Sequence, residues 1–247
     1  MNSRDVSPAE YDAAYYRGGG TSNYQDYDVQ EELIESYWLP LVERYRRVLG
    51  SPVPGRCLDV GCAYGFMVEA YRRKGWEAEG CDVSQFAIAQ GQRRGIRGLR
   101  LGALTDFDYP DGCFDLVTCL DVTEHLDPAT YGAYRTTLHR ILKPGGVLFV
   151  ATPNAIDCSG FNVFSPDWVE GDATHINYRS ARELEEDFRA FERVVIHGAT
   201  PARGMLGSYR NLKGLPRRAN GLLRWFFWKI LGNDVQHSAY LLLIARR

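Results

Sequence analysis

The chain has 247 residues, of which 45% are hydrophobic and 24% charged, and its formal net charge is −2 at pH 7. This length and apolar fraction suffice for one globular domain with added segments, and its core needs no disulfide bonds for stability. The near-neutral charge excludes a globally basic nucleic-acid binder, so no nucleic acid is expected as a partner.

The pattern of cysteines and the first residues of the sequence predict the cellular location. The six cysteines include no C-x-x-C pair and mostly fall in apolar segments, which indicates buried thiols in a reducing environment and no zinc site. The first residues, MNSRDVSPAEYD, lack the apolar region of a secretion signal, and charges interrupt the longest apolar stretches. We therefore expect a cytoplasmic chain without a membrane span.

The first segment is predicted to be a flap followed by a helix. Residues 1–27 are polar and rich in Gly and Tyr, which indicates a segment that is mobile without ligand. Asp28 and Glu31 have the spacing of a capping box and predict that the helix begins there. Pro40 should kink that helix.

Strands and helices then alternate over residues 55–198. RCLDVG, WEAEGCDV and CFDLVTCL predict buried strands, separated by the helical patterns FMVEAYRRKG and SQFAIAQGQRRG and a weak short strand. Asp127 before Pro128 predicts a helix that LKPGG ends ahead of the strand VLFVATP. Ser180 and Glu183 form a capping box for another helix, and the strands FERVVIHG and SAYLLLIARR come last. This alternation predicts a doubly wound, Rossmann-like α/β sheet, mostly parallel, with helices on both faces and ligands at the carboxyl ends of its strands.

The loop LDVGCAYG after the first strand is built for close backbone approach. Gly61 and Gly65 permit sharp turning, and Ala63 is the next smallest choice between them. The pattern differs from the dinucleotide fingerprint G-x-G-x-x-G, because its third small residue comes one position too early. Asp59 adds a negative charge that repels phosphate and favours a cationic ligand.

An acid follows the second strand at the position expected for a ribose contact. Asp82 lies 17 residues beyond Gly65, roughly the separation at which an acid holds ribose hydroxyls. With Asp59 in register, the pattern predicts an adenosine-containing ligand; an ordinary tight turn is the alternative.

Four segments carry a family resemblance. LDVGCAYG, CDVS, FDLVTCLDVTEHL and LKPGGVLFVATPN resemble, in order and spacing, the motifs of class I S-adenosylmethionine-dependent methyltransferases, in the small-molecule branch that includes the ubiquinone-pathway enzymes. The resemblance covers about residues 56–198. It implies a seven-stranded sheet with an antiparallel last strand, S-adenosyl-L-methionine as cofactor with S-adenosyl-L-homocysteine as product, and a small-molecule acceptor.

The resemblance also implies where the cofactor binds. Asp59 and Gly61 would face its methionine part, and Asp82 would take both ribose hydroxyls. Ala103 stands where many members carry an acid that accepts from the adenine amino group. Adenine would then be held by Leu104, with Thr105 or Asp106 as a substitute for the missing acid. Tyrosines among the N-terminal glycines would form a flap over the sulfonium, because aromatic faces attract cations and closure excludes water; a disordered leader is the alternative. The predicted cofactor-binding residues are Asp59, Gly61, Gly65, Asp82, Val83, Ala103, Leu104, Leu120, Asp121, Tyr16 and Tyr24.

An acceptor hydroxyl must lose a proton, and histidine suits that role near neutral pH. His175 in DATHINYRS is the first candidate for the base and His125 in EHL the second; for both, bracing of the local loop is the alternative. The predicted acceptor pocket is formed by Glu124, Phe161, Phe164 and Trp168, although a core role is open for the three aromatic residues.

A divalent metal is the less favoured addition. Asp121, Glu124 and His125 could present two carboxylates and an imidazole to a cation. The sequence lacks the further acids of a full coordination shell, so no metal is predicted.

Between the last two strands, residues 199–236 form a basic and aromatic insertion. It could be a lid that recruits an anionic or carrier-bound acceptor, a homodimer interface, or a peripheral membrane contact through residues 210–231. The predicted division is therefore 1–54 (flap and helix), 55–198 (cofactor-binding core), 199–236 (insertion) and 237–247 (last strand).

The predicted function is methyl transfer to a small molecule, with the hydroxyl of a sugar, secondary metabolite or quinone-like compound as the favoured acceptor. N- or C-methylation, an NAD(P)-dependent oxidoreductase and a non-catalytic cofactor-binding partner protein are the alternatives.

Overall fold

The computed structural model describes residues 6–19, 22, 24–50, 54–155, 172–199 and 240–247. Residues 200–236 of the predicted insertion lie outside this part of the chain, and so do three predicted acceptor-pocket residues, Phe161, Phe164 and Trp168. The division into four segments stays a prediction.

One seven-stranded sheet organises the described residues, and it confirms the predicted α/β fold. Its strand order is β3-β2-β1-β4-β5-β7-β6. β7 runs antiparallel to both its neighbours, and every other pair is parallel. The strands are β1 (Arg56–Val60), β2 (Glu77–Asp82), β3 (Leu99–Leu101), β4 (Phe114–Leu120), β5 (Leu142–Pro153), β6 (Arg193–Ala199) and β7 (Tyr240–Arg246).

Helices cover both faces of the sheet, as the alternating pattern predicts. The helices are α1 (Ala13–Tyr16), α2 (Gln30–Leu33), α3 (Leu39–Val48), α4 (Phe66–Arg73), α5 (Gln85–Arg93), α6 (Pro128–Ile141) and α7 (Ala181–Asp187). Leu58 and Val60 of β1 pack into one buried cluster with residues of α6 and α7, whereas Cys57 faces the other cluster with residues of α3, α4 and α5. Burial on both faces explains why the sequences of the central strands are continuous apolar runs.

Two of the three predicted helix starts are confirmed. The side chain of Asp127 accepts from the amides of the first turn of α6, and Ser180 and Glu183 form the capping box of α7. These residues satisfy backbone donors that have no partner inside the helix.

The predicted capping box of Asp28 and Glu31 is wrong. Asp26 is the residue whose side chain accepts a backbone amide, that of Asp28, and a 3₁₀ turn precedes α2. The expected irregularity at Pro40 takes the form of a wide π turn, Ile34–Trp38, between α2 and α3. Proline has no amide hydrogen to continue the helical hydrogen bonds, and it follows this turn at the start of α3.

The described cysteines are buried free thiols, as predicted. Within the described ranges, none of the helices combines the length and the apolar character that a bilayer span requires.

Candidate functional site

A cavity lies at the carboxyl ends of the strands, where the sheet reverses its strand order. β1 is flanked by β2 on one side and β4 on the other, and such a switch point is where open α/β sheets bind ligands. Predicted site residues that line this cavity are Gly61, Asp82, Val83, Ala103, Leu120, Asp121, His125, Tyr16 and Tyr24. Predicted site residues of the described chain that lie outside its lining are Asp59, Gly65, Leu104, Glu124 and His175.

The glycines of the loop after β1 pack closely against neighbouring side chains. Gly61 has φ +71°, and a Cβ there would lie 2.2 Å from Cγ2 of Val122. Gly65, with φ +82°, begins α4, and its Cβ would lie 2.6 Å from Cδ2 of Leu99. Both positions therefore require glycine for backbone conformation and for packing.

Asp82 connects this loop to the end of β2. Its Oδ2 accepts from the Ala63 amide at 2.8 Å and its Oδ1 from the Ser84 amide at 2.8 Å. Burial raises the pKa of Asp82, while the two amides oppose that rise. Each carboxylate oxygen has a second lone pair. Asp82 can therefore accept from two further hydroxyls, such as the two hydroxyls of a ribose bound in the cavity.

Asp59 is buried beneath the loop instead of lining the cavity. Its Oδ1 accepts from the hydroxyl of Thr118 at 2.6 Å. Burial raises the pKa of Asp59 to about 7, and nearby Asp82 adds to the rise. Its predicted role beside the methionine part of the cofactor stays a prediction.

Asp121 is the strained acid of the cavity wall. It has φ +54°, which is uncommon for a residue other than glycine and is found at functional sites. Its Oδ1 is buried without a hydrogen-bond partner among the described residues. The pKa of Asp121 is raised to about 7. Burial is the main cause, a hydrogen bond from Tyr240 opposes the rise, and the charge of Asp172 adds to it. An unpaired buried carboxylate oxygen fits the ammonium group of a methionine moiety.

The residues after β3 meet the cavity only in part, and their predicted contact with adenine stays a prediction. Ala103 lines the cavity, but Asp106, one proposed substitute for the missing acid, uses its Oδ2 to accept from the Ala103 amide at 2.8 Å. Leu104 is fully buried, and its amide donates to the hydroxyl of Tyr134 at 3.1 Å. Tyr134, which lines the cavity, was not predicted; its position within an amphipathic helix gave no signal.

The described part of the N-terminal segment packs over the cavity. Tyr15 and Tyr16 are each 4% exposed, and the ring of Tyr16 stacks on that of Tyr24. Ser84 donates to the backbone carbonyl of Tyr11 at 2.5 Å, which attaches the segment to the end of β2. This arrangement has the form of the predicted aromatic flap.

His125 is the histidine of the cavity wall. Its Nδ1 lies 2.9 Å from Oγ1 and 3.3 Å from the backbone oxygen of Thr174. Burial, with His175 nearby, lowers the pKa of His125 to about 4, against the opposing effect of Asp172. The ring is therefore a neutral imidazole at neutral pH.

His175 lies behind His125, with ring centroids 4.8 Å apart. Its Nδ1 is 3.2 Å from the hydroxyl of Tyr178, and its Nε2 is 3.9 Å from Oδ2 of Asp172. Asp172 and Thr174 were missed by the sequence analysis, although they flank His175 in the polar stretch DATHIN.

Glu124 is fully buried between the two histidines and β5. Its Oε2 accepts from the hydroxyl of Thr152 at 3.1 Å, and burial raises its pKa. Glu124, His125 and His175 each present one possible ligand atom, and these atoms lie within 4.8 Å of one another. The grouping differs from the predicted one, since His175 replaces Asp121.

The comparisons with known proteins agree with this geometry. A family model described as a methyltransferase domain matches residues 30–197. The ubiquinone biosynthesis O-methyltransferase of Pseudomonas paraeruginosa is 34% identical over 107 residues, which cover 39% of this chain and 44% of that protein. A probable S-adenosylmethionine-dependent methyltransferase of Mycolicibacterium smegmatis is 32% identical over 153 residues, 61% of this chain and 54% of that protein. These matches thus span about half the length of the curated relatives.

The fold is similar to the crystal structure of an S-adenosylmethionine-dependent methyltransferase from Archaeoglobus fulgidus. The TM-score is 0.59 at 18% identity, over 90% of this chain and 99% of that one. The chain belongs to the class I S-adenosylmethionine-dependent methyltransferase family. Its cofactor is accordingly S-adenosylmethionine, which sets aside the oxidoreductase alternative.

Proposed function

We propose that this chain transfers a methyl group from S-adenosylmethionine to a hydroxyl of a small-molecule acceptor. When bound, the cofactor supplies a methyl group already activated on a sulfonium. The protein then has to bind and orient both partners, exclude water and take up the acceptor proton. The observation that carries the proposal is that a neutral imidazole, His125, lines the same cavity as Asp82 and Asp121.

The cofactor is held by groups from two strand ends and from the N-terminal segment. Asp82 accepts from the ribose hydroxyls with the lone pairs that its two amide contacts leave unused. Asp121 pairs with the ammonium group through its unpartnered Oδ1. The N-terminal tyrosines shield the sulfonium from water and offer it their ring faces.

The general base in this proposal is His125, which reverses the order of the sequence-based candidates. A base must reach the proton that it removes, and His125 lines the cavity whereas His175 does not. Its lowered pKa keeps the ring unprotonated at neutral pH.

The acceptor class follows from the need for a base and from the relatives. A hydroxyl must lose its proton during transfer, and several relatives are named ubiquinone biosynthesis O-methyltransferases. A phenolic or quinone-like hydroxyl therefore fits best.

The test is release of S-adenosylhomocysteine with a panel that pairs phenols and sugar hydroxyls with amines of the same skeleton. We expect turnover of hydroxyl acceptors, and His125→Ala should lower kcat about 10²- to 10⁴-fold with little change in S-adenosylmethionine affinity. His175→Ala should have the smaller effect. Turnover of amines alone, or full activity in His125→Ala, would contradict the proposal.

A further inference from the structure

We propose that Thr174 and Asp172 are positioning residues that keep the proton of neutral His125 on Nδ1 and so leave Nε2 as the proton-accepting atom. The catalytic meaning of this inference rests on the proposed function, in which His125 is the base. The hydrogen-bond pattern that carries it is a property of the protein without any ligand.

The backbone of Thr174 favours a proton on Nδ1 of His125. Its carbonyl oxygen lies 3.3 Å from Nδ1 of His125. A carbonyl oxygen only accepts hydrogen bonds, so this contact is favourable when Nδ1 carries the proton and repulsive when it carries a lone pair.

The hydroxyl of Thr174 favours the same tautomer. Its Oγ1 lies 2.5 Å from Oδ1 of Asp172 and 2.9 Å from Nδ1 of His125. A hydroxyl has one hydrogen, and the carboxylate, which is an acceptor, takes it. The oxygen therefore faces His125 with a lone pair, and both contacts select the same tautomer.

The surroundings keep this arrangement in place. Thr174 is fully buried and Asp172 is 5% exposed. Oδ1 of Asp172 also accepts from the Thr174 amide at 3.0 Å, and Oδ2 accepts from the hydroxyl of Tyr15 at 3.1 Å. Reversing the tautomer would leave two buried acceptor oxygens facing the lone pair of Nδ1, which is unfavourable.

In a serine protease, a buried carboxylate contacts the catalytic histidine directly and fixes its tautomer. Asp172 acts on His125 in a similar way. Here a threonine hydroxyl stands between the acid and the imidazole. Because the ring is oriented before the acceptor arrives, no reorganisation is needed when the proton moves.

The test is a long-range proton–nitrogen NMR spectrum of the imidazole rings in the full-length, ligand-free protein. His125 is assigned by comparison with the His125→Gln variant. We expect a protonated Nδ1 and an unprotonated Nε2 in the wild type. The tautomer is measured without turnover, so it can be judged even if the proposed function fails.

Variants then connect the tautomer to catalysis. Thr174→Val should increase the fraction protonated at Nε2 and lower kcat about tenfold, with KM for S-adenosylmethionine unchanged. Thr174→Ser should restore both properties, because it returns the hydroxyl. Thr136→Val is the matched control on the exposed side of α6, where the hydroxyl donates to the backbone oxygen of Gly132 in its own helix.

Two results would overturn the inference. One is an Nε2-protonated ring in the wild-type protein, whatever its activity. The other is full activity and an unchanged tautomer in Thr174→Val. The predicted tautomer in a protein that turns over no hydroxyl acceptor would support the Thr174 and Asp172 contacts while contradicting the proposed function.

Discussion

The hydroxyl of Tyr15 donates a hydrogen bond to Oδ2 of Asp172 over 3.1 Å, between residues 157 positions apart in the chain. Both side chains are buried, at 4% and 5% exposure. The N-terminal segment is thereby bonded to the same acid that contacts Thr174. Closure of the cavity and support of His125 thus depend on one carboxylate.

Replacement of Tyr15 by phenylalanine tests this connection. Tyr15→Phe keeps the ring contacts and leaves Oδ2 of Asp172 buried without its donor, which should lower the free energy of unfolding by about 1–2 kcal/mol. Affinity for S-adenosylmethionine should fall as the segment loosens. Urea denaturation and calorimetric titration measure the two effects, with Tyr37→Phe, in the π turn ahead of α3, as the matched control. Unchanged stability and affinity would argue against the connection.

Cofactor affinity should depend on pH through Asp121. Burial raises the pKa of this acid to about 7, so its carboxylate becomes protonated as the pH falls below that value. Only the ionised form attracts an ammonium group, and the dissociation constant for S-adenosylmethionine should therefore rise between pH 8 and pH 6. Asp121→Asn should bind weakly over this whole range with a flat profile.

Asparagine suits this test because it tolerates the left-handed backbone that Asp121 adopts at φ +54°. Asp59→Asn is the control, since the pKa of Asp59 is also raised to about 7 but its side chain does not line the cavity. That variant should keep the pH dependence. If the pH dependence of binding persists in Asp121→Asn and disappears in Asp59→Asn, Asp59 is the titrating acid and the prediction for Asp121 is contradicted.

Chelation should leave activity unchanged. Glu124, His125 and His175 are close together; Oε2 of Glu124 is bonded to Thr152 and Nδ1 of His125 to Thr174, whereas Oε1 of Glu124 has no partner among the described residues. Proton uptake by His125 needs no metal. Turnover should therefore be equal with and without EDTA, and a loss that magnesium restores would show that these side chains hold a cation.

The strands and two of the helix starts could be predicted because their signals are local. Asp127 and Ser180 lie immediately before the donors that they satisfy. At the N terminus the same local logic failed, because Asp26 and Asp28 both have cap chemistry and the sequence does not say which one the chain uses.

The cavity ends of β1, β2 and β4 could also be predicted, since parallel strands bring their carboxyl ends to one edge. The support of His125 could not. Its contacts with Thr174 come from a loop 49 positions away, and their existence depends on how that loop packs. For the same reason the polarity around His175 indicated the loop that contacts His125, but it could not indicate that His125, and not His175, lines the cavity.

The most direct test of the account is calorimetric titration of the protein with S-adenosylmethionine, S-adenosylhomocysteine and NADH, repeated with Asp82→Ala and with the exposed control Asp108→Ala. We predict binding of the first two ligands only, lost by at least tenfold in Asp82→Ala, because two ribose hydroxyls lose their acceptor, and retained in Asp108→Ala. Binding of NADH alone, or undiminished S-adenosylmethionine binding by a folded Asp82→Ala variant, would contradict the assignment of this cavity.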